Sequence, residues 1–152
     1  MAVAIGEREG TFGSDRGQMT ARVIESSFPD YRRLLPDDYP NRLVISREAL
    51  LDAVGRASLV AEDHIPVRLS LGAGGVELSV TRQDVGGETE YIEAAYDGED
   101  MVIAFNTRYL TDGVAAMQSE SLVLQTINPL KPGLLTAADD DSFRYLLMPV
   151  RL

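Results

Sequence analysis

Two stretches of alternating apolar and polar residues open the chain, Val3/Ile5 and Met19/Ala21/Val23, with Gly10, Gly13, Ser14, Asp15 and Gly17 between them. Strand side chains alternate between faces, so the pattern predicts two strands joined by a glycine-rich turn. A lone hairpin is marginal in water, which assigns these residues to a larger sheet. If that sheet's other strands are missing, the exposed Val3, Ile5, Met19 and Val23 predict self-association. The next residues, Phe28 to Pro40, hold Pro29, Pro36, Pro40 and the acidic pair Asp37-Asp38, and read as a connector rather than a helix. The predicted partition is a terminal hairpin at 1–27, a linker at 28–40 and a main domain at 41–152.

From Asn41 the pattern becomes regular. Leu43-Val44-Ile45 reads as a strand, Ser46 as an N-cap, and Arg47 to Ala61 as a helix with Leu50, Val54, Ala57 and Ala61 on one face. Strands are predicted at Val67–Leu71, Val76–Thr81 and Glu88–Tyr96, with Gly72-Ala73-Gly74-Gly75 as a tight turn. A second round follows: strand Met101–Phe105, cap Asn106, helix Thr107–Met117, then strands Leu122–Ile127, Gly133–Ala137 and Phe143–Val150. An offset of 60 positions lays Leu50-Leu51-Asp52-Ala53-Val54 on Leu110-Thr111-Asp112-Gly113-Val114 and brings Ser46 onto Asn106. The expected fold is therefore α+β, an internally duplicated strand-helix-three-strand unit with two adjacent helices packed on two β-sheets.

Composition narrows the function classes. A chain of 152 residues with 45% hydrophobic and 25% charged residues is globular in composition and long enough for one buried core. The net charge of -10 argues against a general basic surface for coating nucleic acid, so any DNA contact has to be local. The lack of cysteine excludes disulfides, thiolate metal sites and cysteine nucleophiles. No long apolar run or signal-like start is seen, which predicts a soluble, cytoplasmic protein without a membrane segment.

Catalytic chemistry finds little support. The one histidine, His64, lies in Glu62-Asp63-His64 with no second histidine or cysteine to complete a site, and reads as a solvated loop residue. Asp139-Asp140-Asp141 is the best candidate for a divalent cation, but its spacing does not alternate as in an EF-hand loop, and a solvated turn is the expected reading. Gly72 to Gly75 lacks a following lysine and helix, so it reads as a hairpin rather than a phosphate loop. No catalytic residue, metal or cofactor is expected.

Two segments stand out. Tyr145-Leu146-Leu147-Met148-Pro149-Val150-Arg151-Leu152 stays apolar almost to the last residue, where free ends are usually polar. Leu146, Met148 and Val150 fit one face of a final strand. Alternatively, Pro149 interrupts pairing and the adaptable Met148 helps form an apolar groove for peptide anchors. The other segment is Phe28-Pro29-Asp30-Tyr31-Arg32-Arg33-Leu34-Leu35-Pro36.

This second segment resembles the linker before the last domain of bacterial DNA polymerase sliding clamps (DNA polymerase III beta subunits). Tyr145 to Leu152 resembles the clamp C-terminus, and Ile103-Ala104-Phe105-Asn106-Thr107-Arg108-Tyr109-Leu110 the start of its last helix. The resemblance implies the DNA-clamp fold, with 1–27 ending a middle domain and 41–152 forming the C-terminal one. It implies a non-enzymatic processivity factor, a head-to-tail homo-oligomeric ring of three-domain protomers encircling duplex DNA. Its implied partners are the DNA polymerase III catalytic subunit, the clamp loader and repair polymerases, bound through short peptides that carry a glutamine and large apolar residues.

By motif position, the deeper groove is expected at Pro29, Arg33, Leu34, Leu146 and Met148, and the remainder at Asn106, Tyr109, Leu130, Pro132, Leu147, Pro149, Val150, Arg151 and Leu152. Val150 stands where the clamp pattern often has methionine. Arg47, Arg56 and Arg108 are the candidates to face DNA. The first domain and most of the middle domain are expected to be absent, which would weaken peptide binding. The alternative is a standalone acidic interaction or regulatory domain that keeps the clamp fold without encircling DNA.

Overall fold

The computed structural model describes residues 1–28, 30–36, 38–61 and 65–152. Three strands, not two, open the chain: β1 (Ala2–Ile5), β2 (Glu9–Ser14) and β3 (Gly17–Arg22), paired as an antiparallel meander. The stretch predicted as a turn is itself the middle strand. Gly10 and Gly13 carry no side chain, so the period-2 signal of β2 rests on Phe12 alone. The tight turn spans Ser14 to Gly17, where the Arg16 N–H donates to Ser14 Oγ at 3.3 Å. Val3, Phe12 and Met19 form one cross-strand row and Ile5, Gly10 and Ala21 the next, which gives the small sheet one apolar face. This unit runs from Met1 to Arg33, and a second unit comprises Leu34–Leu152. The division falls inside the predicted linker, where Tyr31–Leu34 makes a short 3-10 helix.

In the second unit the repeated pattern becomes eight strands and two helices. The first round is β4 (Asn41–Ser46), α1 (Arg47–Val60), β5 (Pro66–Gly72), β6 (Gly75–Arg82) and β7 (Gly86–Asp97). The second is β8 (Met101–Asn106), α2 (Thr107–Ala116), β9 (Ser121–Thr126), β10 (Gly133–Ala137) and β11 (Arg144–Leu147). Both helices start as the sequence dictates: Ser46 Oγ accepts the Ala49 N–H at 3.3 Å and Asn106 Oδ1 accepts the Tyr109 N–H at 3.1 Å, each satisfying a first-turn donor.

The two expected sheets are joined. The order is β11-β10-β9-β4-β7-β6-β5-β8, continuous because the long β7 pairs with β6 through Gly86–Glu93 and with β4 through its last four residues. The two rounds exchange strands reciprocally: β4 pairs with β9 and β8 with β5. The registers extend the duplication beyond the helices. Leu43 opposite Leu124 corresponds to Ile103 opposite Leu69, so β4 maps onto β8 at 60 positions, whereas β5 maps onto β9 at 55, Leu69 onto Leu124. The same shift of 55 carries β7 onto β11, because Leu78 opposite Glu90 corresponds to Leu135 opposite Tyr145.

The core is built from the inward rows of this sheet, among them Leu43, Ile45, Leu69, Leu78, Ile103, Phe105, Leu122 and Leu135, closed by Leu50, Val54, Leu110 and Val114 of the helices. The helices run antiparallel. Arg47, at the start of α1, donates from Nε to the Val114 carbonyl and from Nη2 to Ala115, both at 3.2 Å, while Thr107 Oγ1, at the start of α2, donates to the Ile65 carbonyl beyond the end of α1. Asn41 pins the start of β4. Its Nδ2 donates to the Thr126 and Ile127 carbonyls, both at 3.1 Å, and its Oδ1 accepts the Glu99 N–H at 3.0 Å. Among the described residues no helix is long and apolar enough to cross a membrane.

A candidate peptide groove beside the C-terminus

The terminal segment follows two partners in turn. Through Leu147 it pairs with β10, Gly133 lying opposite Leu147; two residues later Pro149 bridges Phe105 of β8, and the Val150 N–H donates to the Ala104 carbonyl at 2.8 Å. Phe143–Val150 is therefore not one strand. It ends as a strand at Leu147 and crosses to the opposite edge of the sheet. Pro149 fits because the bond to β8 uses the N–H of the next residue, so the donor that proline lacks is not required.

This crossing places Met148 between two chain segments. Pro132 directly precedes Gly133 on one side, and Asn106 directly follows Phe105 on the other. Met148 is 61% exposed, and Tyr109, three residues into α2, 58%. Leu130, Val150 and Leu152 are exposed as well, while Leu146 and Pro149 are half-buried. Alternation decides the division of labour along the segment: Leu146 and Met148 share one face, and Leu147, 2% exposed, points into the core. Leu147 is therefore part of the core and not of the exposed side of the segment.

Asn106 is committed as the α2 cap through its Oδ1. Tyr109 is held through its backbone, because the Tyr145 hydroxyl donates to its carbonyl oxygen at 3.1 Å. Burial, with Asp112 and Tyr109 nearby, raises the Tyr145 pKa above that of an ordinary tyrosine. Its ring lies against α2 at Gly113, where an added Cβ would come within 2.5 Å of it. The motif comparison missed Tyr145 and Gly113. The available signal was a glycine inside a helix at the place where the first round has Ala53, a substitution costing about 1 kcal/mol unless something approaches closely.

Of the linker residues expected in the groove, Pro29 lies outside the described residues. Arg33 belongs to the first unit and pairs with Asp30 at 2.9 Å. Leu34 opens the second unit and is exposed. Arg151, beyond Val150, is exposed.

Two of the three arginines expected to face DNA are hydrogen-bonded within the chain, and the third is exposed. Arg47 binds the end of α2, Arg56 makes a two-point pair with Glu90 (Nε to Oε2, 3.0 Å), and Arg108 sits 4.0 Å from Asp112 on the same helix.

The other candidate chemistry resolves into turns. Asp140 accepts from the Ser142 N–H at 2.8 Å and hydroxyl at 2.9 Å, which hold its carboxyl below the ordinary range, and Asp141 pairs with Arg144 at 3.1 Å. Gly72 to Gly75 closes the β5–β6 hairpin, with Gly74 at φ +102°. His64, Glu62 and Asp63 lie outside the described residues. Among the described residues no cluster of His, Asp or Glu is placed to hold a metal ion.

Comparison with known proteins agrees with this architecture. Residues 32–151 match the family described as DNA polymerase III beta subunit, C-terminal domain. The beta sliding clamp of Streptomyces coelicolor is 36% identical over 97% of the chain, and that of Caulobacter vibrioides 33% over 88%. Among solved structures, the sliding clamp of Caulobacter crescentus superposes with a TM-score of 0.89 at 29% identity, covering 99% of this chain and 40% of that one. A sliding clamp from Bartonella birtlesii bound to griselimycin gives 0.89 at 28%, covering 99% and 41%. The chain spans 41% of the Streptomyces relative and 36% of the Caulobacter one. With its duplicated unit, its two antiparallel helices and its C-terminal strand crossing, the chain belongs to the DNA polymerase III beta subunit family, the bacterial sliding clamps, and corresponds to their C-terminal portion.

Proposed function

We propose that the chain serves as the C-terminal part of a sliding clamp and binds short peptide segments of partner proteins, with no catalytic step of its own. The observation that carries this reading is the strand crossing at Met148. It sets an exposed, adaptable apolar side chain between Asn106 and Pro132, with Tyr109 and Val150 close in sequence to that junction. Apolar walls beside a few fixed polar groups suit a peptide that presents large apolar anchors and a glutamine. The partners implied by the family are the DNA polymerase III catalytic subunit, the clamp loader and repair polymerases. Leu34 would supply the linker side of the groove, and Arg151 and Leu152 its outer end.

DNA contact is proposed for the whole ring, a head-to-tail homo-oligomer of longer protomers in the cytoplasm, with α1 and α2 facing the duplex. The net charge of -10 and the bonds that hold Arg47 and Arg56 within the chain both argue that this portion alone binds DNA weakly. A standalone regulatory domain is the weaker reading, because each relative compared is a sliding clamp.

Fluorescence polarisation with a labelled clamp-binding peptide tests the site. Saturable binding that weakens when Met148→Ala and Tyr109→Ala are combined supports the assignment. Binding indifferent to both removes it.

A further inference from the structure

The duplication exposes a difference between the two halves of the second unit. Under the strand register, Glu90 of β7 corresponds to Tyr145 of β11, and under the helix offset Ala53 of α1 corresponds to Gly113 of α2. In the first half, Glu90 ties its strand to α1 through the two-point pair with Arg56, a contact between side chains that leaves the helix backbone alone. In the second half the tie reaches the backbone itself. Gly113 lacks the Cβ that would strike the Tyr145 ring, and the Tyr145 hydroxyl donates to the carbonyl of Tyr109, one turn earlier. In an α-helix that carbonyl also accepts the N–H of Gly113, four residues on. Tyr145 thus closes a small loop through the two residues that its ring and hydroxyl touch.

This tie joins the two elements that carry the candidate groove. Tyr145 lies on β11, three residues before Met148, and what it grips is the residue whose exposed ring stands on α2. The equivalent place in the first half, away from the groove, has an ordinary surface ion pair. We propose that Tyr145 is a positioning residue for the groove: through Gly113 and the Tyr109 carbonyl it fixes the Tyr109 side chain relative to Leu146 and Met148. This proposal rests on the peptide-groove reading and adds the device that sets the spacing of its walls.

The test uses the full chain and the labelled peptide described above, with Tyr145→Phe, Tyr109→Ala, the double variant and Glu90→Gln. Tyr145→Phe keeps the ring over Gly113 and removes only the bond to the carbonyl. It is expected to weaken peptide binding about 3- to 10-fold, the range for one neutral hydrogen bond, while the thermal midpoint falls by no more than about 5 °C. In the Tyr109→Ala background the same change is expected to have almost no further effect on affinity, and Glu90→Gln none at all. An equal loss in both backgrounds, or a loss matched by Glu90→Gln, would overturn the proposal.

NMR of the free chain gives a second readout. The Tyr109 ring signals are expected to shift in Tyr145→Phe and to stay in place in Glu90→Gln. If the wild-type chain does not bind the peptide, the groove reading falls and these ring signals still decide the role of Tyr145. Displaced signals support positioning, and unmoved signals refute it.

Discussion

Leu147 and Met148 are neighbours with opposite surroundings, and truncating each to alanine separates fold from function. Leu147 lies in the core beside the strands that flank the crossing, so Leu147→Ala removes buried methyl groups and leaves a cavity. Core Leu→Ala changes cost about 2–5 kcal/mol, and the middle of that range lowers the melting temperature of a chain this size by roughly 7–14 °C. Met148 is 61% exposed and contributes little burial to the free chain, so Met148→Ala is expected to shift stability by less than about 0.5 kcal/mol. Its loss should be felt when a peptide anchor covers it, at about 1–2 kcal/mol or roughly 5- to 30-fold in affinity. Urea unfolding and peptide titration on the same two variants measure both quantities. A Met148→Ala chain as unstable as Leu147→Ala, or a Leu147→Ala chain of full stability, would refute the placement of these two residues on opposite faces.

Three further outcomes follow from the bonds that close the fold. Arg47→Met removes both donors to the Val114 and Ala115 carbonyls at the end of α2 and is expected to cost about 1–3 kcal/mol in urea unfolding, more than truncation of the exposed Arg108. Gly98→Ala forces a residue with φ +147° to carry a Cβ that collides with Asn41, and should lower stability by more than about 2 kcal/mol in the same assay. The Asp140 carboxyl, held by two bonds from Ser142, is expected to titrate by NMR below its ordinary value of 3.8 and to return toward it in Ser142→Ala. A lowered folded-state pKa means that its stabilising contribution is present above the ordinary value and is lost as pH falls through the folded one.

The helices and most strands of the second unit were legible because burial and capping both leave local marks. Ser46 and Asn106 announce helix starts, and the apolar rows of Leu43/Ile45 and Ile103/Phe105 sit at the spacing that a half-buried strand requires. The offset of 60 revealed the duplication for the same reason. β2 was hidden because Gly10 and Gly13 erase the alternation on which the reading depends. The end of the chain was harder to read: a pattern of alternating residues says which side chains share a face, but not that the backbone leaves β10 after Leu147 and joins β8 at Pro149. The roles of Arg47, Asn41 and Tyr145 were invisible, since each depends on a backbone carbonyl or N–H more than 30 residues away in sequence. The groove was suggested by resemblance. Its spatial basis, with Met148 flanked by Pro132 and Asn106, comes from the strand registers.

The most direct test of the account is a titration of the isotopically labelled chain with a peptide bearing a glutamine and large apolar residues, followed residue by residue by NMR. Saturable shifts centred on Asn106, Tyr109, Leu130, Leu146, Met148 and Val150, with β5 and β6 unaffected, are the expected result. Shifts that do not saturate, or that centre on α1 or on β5 and β6, would contradict the assignment of the groove.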